Sequence, residues 1–113
     1  MPIVKIHLDD RGEPIARIVE EDGLYVVSMD VFKEVGRFPE GGETLEITER
    51  YKIVVKKREL MGGVCEFVYF QFPGGTQLIN VKYVGPDPPE AVIPALAEAV
   101  DEEVSPGEKN RDN

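Results

Sequence analysis

A chain of 113 residues has room for one hydrophobic core. Its 42% hydrophobic and 31% charged residues exclude wholesale disorder, which requires low hydrophobicity together with high net charge. The formal charge of −9 is unevenly placed: residues 86–113 hold eight carboxylates against two cations, and the first 85 hold fourteen against eleven. The body is therefore less acidic than the sequence pI of 4.6 suggests, and it has room for locally positive surface.

One cysteine, Cys65, cannot form an intramolecular disulfide, whereas small secreted domains commonly carry several pairs. Lys5 and His7 interrupt the apolar residues of the N-terminus, so no signal-peptide h-region is present there. No run approaches the roughly 18 to 20 apolar residues of a membrane span. The expected compartment is the cytoplasm. Few Asn and Gln beside abundant Glu, Lys and Arg is also a composition met in heat-adapted proteins.

In chain order, Val4, Ile6 and Leu8 alternate with Lys5 and His7, the period of a half-buried strand. Asp9-Asp10-Arg11-Gly12 breaks it. A second strand fits residues 14–20, and Glu21-Asp22-Gly23 turns the chain into a third at 24–28. Val31, Phe32 and Val35 then recur at helical spacing between Asp30 and Gly36, which predicts one or two helical turns. Leu45 and Ile47 alternate with Thr44, Glu46 and Thr48 in an amphipathic strand.

Residues 51–58 form the next predicted strand, and Met61-Gly62-Gly63 turns it into residues 64–72. That segment is apolar on both faces: Val68, Phe70 and Phe72 on one, Cys65, Phe67 and Tyr69 on the other. A strand of this kind is either central or lies between its sheet and a partner. After Pro73-Gly74-Gly75 a seventh strand spans 76–84, with Ile79, Val81 and Tyr83 on one face. Gly85-Pro86-Asp87-Pro88-Pro89 ends the sheet, and Asp87 with Glu90 has capping-box spacing. Val92, Ile93, Leu96, Ala97 and Val100 make an apolar helical stripe, with Pro94 placed in its first turn and an end near Val104. Beyond it no apolar residue remains.

The expected fold is mainly β: a small antiparallel sandwich or partly open barrel of about seven strands with a C-terminal helix. Residues 1–104 form one domain in this reading and 105–113 a disordered acidic tail.

Chemistry-bearing residues are sparse. His7 near Asp9 and Asp10 has the residue types of an acid–base pair, but it fits better on the solvent face of strand one beside turn aspartates. One His and one Cys do not supply a closed zinc site. The clusters Asp9-Asp10-Glu13 and Glu20-Glu21-Asp22 lack EF-hand spacing. The paired glycines match neither a phosphate loop nor a dinucleotide fingerprint. Cys65 sits in an apolar strand, where desolvation makes a thiol a poor nucleophile. No cofactor, metal site or catalytic set is expected.

One basic segment stands out. Arg50, Lys52, Lys56, Lys57 and Arg58 lie within nine residues, interleaved with Tyr51 and strand apolars. Adjoined by Phe67 and Tyr69, they would form a basic, aromatic surface of the kind that binds single-stranded nucleic acid. At the level of predicted outline alone, a small barrel with a helix is similar to oligonucleotide-binding folds. The opposing reading is a charged strand edge with its rings in the core. The leading expectation is a non-enzymatic protein-binding or assembly module with a protein partner or homo-oligomer and no membrane. A single-stranded nucleic-acid binder is the alternative, and an enzyme with a carboxylate-only site comes third.

Overall fold

The computed structural model describes residues 3–36 and 39–104. Its strands are β1 (Ile3–Leu8), β2 (Pro14–Glu21), β3 (Leu24–Val35), β4 (Glu43–Glu46), β5 (Lys52–Leu60), β6 (Gly63–Phe72) and β7 (Gly75–Gly85), followed by α1 (Pro89–Val104). All seven strands belong to one antiparallel sheet of order β1-β2-β3-β7-β6-β5-β4. Two meanders, β1 to β3 and β4 to β7, join where β7 returns beside β3. The fold is thus the β-rich one expected from the alternation, with its strands in a single unclosed sheet. The acidic segment 105–113 lies outside the described residues.

Turn chemistry explains the first meander. Asp22 and Gly23 both take positive φ, 55° and 81°, the pair of values a tight type I′ hairpin needs. A different glycine requirement appears where β6 meets β7. A Cβ on Gly63 or Gly85 would collide with Tyr83 and the neighbouring backbone, so the absence of side chains there makes room for the Tyr83 ring.

One face of the sheet is closed by α1. Ala16, Ile18, Val27, Val54, Phe67, Tyr69, Leu78, Val81 and Tyr83 are buried with Val92, Leu96, Ala99 and Val100 of the helix. Each large apolar side chain so enclosed contributes roughly 1.5 to 3 kcal/mol. A helix of 16 residues is about 24 Å long, and the step from β1 to β5 is about the same at ~4.8 Å per strand. The ion pairs agree with that crossing: Lys5 of β1 reaches Glu90 near the helix start, and Lys56 of β5 reaches Glu103 near its end.

Five local expectations are corrected. Residues 30–35 are strand, not helical turns: β3 runs on to Val35, with a bulge between Asp30 and Lys33 opposite β7. The helix begins at Pro89 and contains Pro94, because Pro88 O accepts from Ala91 N and Val92 N and only one hydrogen bond, close to the helix end, is lost to the ring. Asp87 does not cap it, since its carboxylate is taken by Gly62 N at 2.7 Å and the Tyr83 hydroxyl at 2.5 Å. In β1, Lys5 and His7 oppose Ile18 and Ala16 on the helix side, so Ile6 and Leu8 are turned outward; irregularities flank both ends of this pairing. A bulge also makes Ile79 the extra residue of β7, which puts Leu78 rather than Ile79 into the core beside Tyr69.

Candidate interaction face

Opposed residues in an antiparallel ladder share a face, so the registers decide where each basic residue and ring goes. Lys56 opposes Phe67 and Arg58 opposes Cys65, which places both cations on the helix side. There they meet the end of α1. Lys56 Nζ donates to both Glu103 oxygens, at 3.1 and 3.0 Å, and Arg58 donates to Glu103 at 3.3 Å and to Glu102 at 2.7 Å. The Tyr69 hydroxyl donates to Glu103 as well. The Arg58 guanidinium also lies 5.6 Å from the centre of the Phe67 ring. Glu103 is only 9% exposed, so this is a largely desolvated carboxylate held by two cations and a phenol.

Electrostatics follow from that packing. The hydrogen bond to Glu102 leads the causes that raise the Arg58 pKa. Burial, reinforced by Glu103, pushes the Tyr69 phenol up, and burial alone accounts for most of a Cys65 thiol raised to about 12. Burial and the bond to Asp87 raise Tyr83, while the same bond, with Gly62 N, lowers Asp87. The fold therefore holds Cys65, Tyr69 and Tyr83 in their neutral forms. Unfolding releases them to ionise near their usual values of 9.0 and 10.0, so stability is complete below pH 9 and falls as pH rises from there toward 12. A urea midpoint that is flat from pH 7 to 8.5 and declines above 9 is the expected result, with Cys65→Ala delaying the onset to about 10. A midpoint unchanged up to pH 11 would contradict it.

The seven residues singled out from sequence are thus divided. Phe67 and Tyr69 are 0% exposed beneath α1, so neither ring offers a face to a base. Lys56 and Arg58 are engaged by the helix, Lys52 pairs with Glu46, and Lys57 pairs with Glu66 on the opposite face. Arg50 lies in the exposed β4–β5 turn, its N–H donating to Thr48 Oγ1. The basic, aromatic surface expected from these residues is not assembled, because the helix covers the side on which rings and cations coincide.

The turn residues are equally plain. Asp9 Oδ1 accepts from Arg11 N and Glu13 N at 2.8 and 2.9 Å, which fixes the β1–β2 turn. His7 faces inward, half-buried, with a buried Nε2 that has no hydrogen-bond partner among the described residues. Among those residues no three His, Cys, Asp or Glu side chains converge as a metal site. No described helix is long and apolar enough to cross a membrane.

What sequence reasoning missed lies on the helix-free face. Tyr51 stacks on Phe70 with ring centres 5.8 Å apart and planes 9° from parallel, and Phe70 stacks on Phe72 at 5.7 Å. Leu45, 67% exposed, opposes Ile53, which opposes Phe70. At the other end of the same face Val64, Val84 and Val26 form a row across β6, β7 and β3. Between the two apolar ends runs a charged row in which Glu66 pairs with Lys57 and Lys82. Asn80 donates to Ser28 and Asp30, and Arg17 approaches Asp30 at 4.0 Å.

Phe32 adds a strained residue to this face. It is 70% exposed with φ of 55°, a conformation that costs an L-residue roughly 1 to 2 kcal/mol. The bulge turns its ring away from the core, and it lines a groove of about 340 Å³ with Ser28, Asp30, Arg17 and Ile15.

No family model matches this chain, and no curated protein or solved structure matches it significantly.

Proposed function

We propose that this chain is a non-enzymatic protein-binding or assembly module, and that it docks partners on the helix-free face of its sheet. The observation that carries the reading is the Tyr51–Phe70–Phe72 stack, flanked by Leu45 and Ile53, on a face that no other described element covers. Interfaces are enriched in aromatic anchors set among polar groups, and this face has rings at one end, valines at the other and paired charges between. The single-stranded nucleic-acid alternative has less support. Both rings chosen for it are buried, and four of its five cations face carboxylates. A free buried thiol suits work in a reducing compartment such as the cytoplasm.

A photoreactive residue placed at Val68, near the middle of the open face, tests this in cells, with Glu98 on the exposed side of α1 as the control position. Discrete protein adducts from position 68 and none from 98 are expected. Adducts to RNA or single-stranded DNA would replace this reading with the nucleic-acid one, and no adduct at all would overturn it.

A further inference from the structure

The ladder between β2 and β3 ends at Arg17 and Ser28. Beyond that pair each strand keeps only its other neighbour: β2 continues against β1 through Ala16 and Pro14, and β3 continues against β7 through Asp30 to the bulge that holds Phe32. The two strands therefore part, and the opening between them is the groove of about 340 Å³, with Pro14 and Ile15 on one wall and Asp30 and Phe32 on the other. Its volume lies at the lower end of the range for small-molecule sites. The Arg17 guanidinium and the Asp30 carboxylate meet in it, each half-exposed and 4.0 Å apart, too far for a direct hydrogen bond. Asn80, in β7, donates to one Asp30 oxygen, and the other is the one nearest Arg17. The Arg17 side chain makes no hydrogen bond among the described residues, so its donors are open to a ligand.

We infer that this groove binds a free α-amino acid with an apolar or aromatic side chain. Such a molecule carries a carboxylate and an ammonium on one carbon, so it presents the first to Arg17 and the second to Asp30 while its side chain lies on Phe32 and Ile15. A guanidinium holds a carboxylate with two parallel N–H donors, and Ser28, directly opposite Arg17 in the ladder, adds a hydroxyl beside it. The charges decide against simpler ligands. An acid without an amine meets Asp30 and Glu13, and an amine without an acid meets Arg17, whereas the zwitterion sets each of its charges against an opposite one. Where β2 and β3 part, their facing edges carry main-chain groups without a ladder partner, and the carbonyls among them can accept from the remaining ammonium protons. Phe32 gains a role as well: its φ of 55° holds an exposed ring at the groove, and ligand contact offsets the cost of that conformation. The site opens on the face assigned to docking but needs no partner protein.

An amide NMR titration of the whole chain with L-phenylalanine is the test. Saturating shifts are expected at residues 13–17 and 28–33, with a dissociation constant of about 1 mM or tighter. Hydrocinnamate, which lacks the amine, phenethylamine, which lacks the acid, and glycine, which lacks the side chain, are each expected to bind at least tenfold more weakly. These analogues probe the charge pair and the ring without altering the chain. Arg17→Ala, Asp30→Asn and Phe32→Ala are each expected to weaken L-phenylalanine at least tenfold. All three side chains are at the surface, so amide signals away from the groove are expected to stay in place. No saturable shift with L-phenylalanine overturns the inference, as does hydrocinnamate or phenethylamine binding equally well, or an affinity that survives both Arg17→Ala and Asp30→Asn. The two proposals fail separately, since the titration contains no partner protein and adducts from position 68 do not depend on the groove.

Discussion

Replacing Glu103 by alanine is expected to destabilise the fold by about 2 to 3 kcal/mol, more than a helix-terminal carboxylate ordinarily contributes. An exposed ion pair contributes about 0 to 1 kcal/mol. Glu103 differs because it is 9% exposed and receives Lys56, Arg58 and the Tyr69 hydroxyl together. Removing it leaves two cations facing a nearly dry surface and a buried phenol without an acceptor, and orphaning one side of a buried pair costs about 3 to 5 kcal/mol. Lys56 and Arg58 retain 27% and 33% of their exposure, so water recovers part of that loss and the lower figure applies. Glu103→Gln keeps an acceptor for Tyr69 but loses the charge, and it should fall between alanine and the native residue. Tyr69→Phe, which removes a hydroxyl and leaves the carboxylate with both cations, should cost about 1 kcal/mol. Urea denaturation at pH 7 measures all three. Equal, sub-kilocalorie effects across the series would mean that α1 is held on β5 and β6 by its apolar stripe alone.

This latch also shows where sequence reading succeeds and stops. Alternation located the strands because a period of two follows from the pleat whatever surrounds it. The same pattern could not say which side the helix would cover. In residues 64–72 both faces are apolar, so Phe67 and Tyr69 look as available as Phe70 and Phe72. A usable signal did exist: Lys56 and Arg58 share a face with Val54, and a cation on the inner side of a strand needs a carboxylate, which a helix ending Asp101-Glu102-Glu103 provides. Recognising it required joining segments some 45 residues apart.

The 30–36 segment failed for a different reason. Val31 and Val35 are four apart, a spacing that fits both a helical turn and two strand repeats, and Phe32 is turned outward by a bulge that no periodicity encodes. Bulges likewise reversed the outward side of β1 and made Leu78 a core residue. Ring stacking on the open face depends on register across β5 and β6, which one strand alone does not determine.

Phe67→Ala should cost about 3 to 5 kcal/mol, and Phe70→Ala clearly less, as read from urea denaturation at pH 7. The two residues are three apart in one strand and identical in chemistry, so the difference isolates the face. Phe67 is fully enclosed, with Val81 opposite it on β7, Lys56 opposite on β5 and the Arg58 guanidinium over its ring. Truncation removes the transfer free energy of a whole ring and leaves a cavity under a helix pinned at both ends, which resists collapse. Phe70 is half-buried and its ring contacts are Tyr51 and Phe72, also on the open side, so its loss deletes two stacking interactions of about 0.5 to 1.5 kcal/mol each and opens no internal void. A Phe70→Ala deficit equal to that of Phe67→Ala would mean that the ring stack belongs to the interior of the single chain, and the open face would lose its anchor.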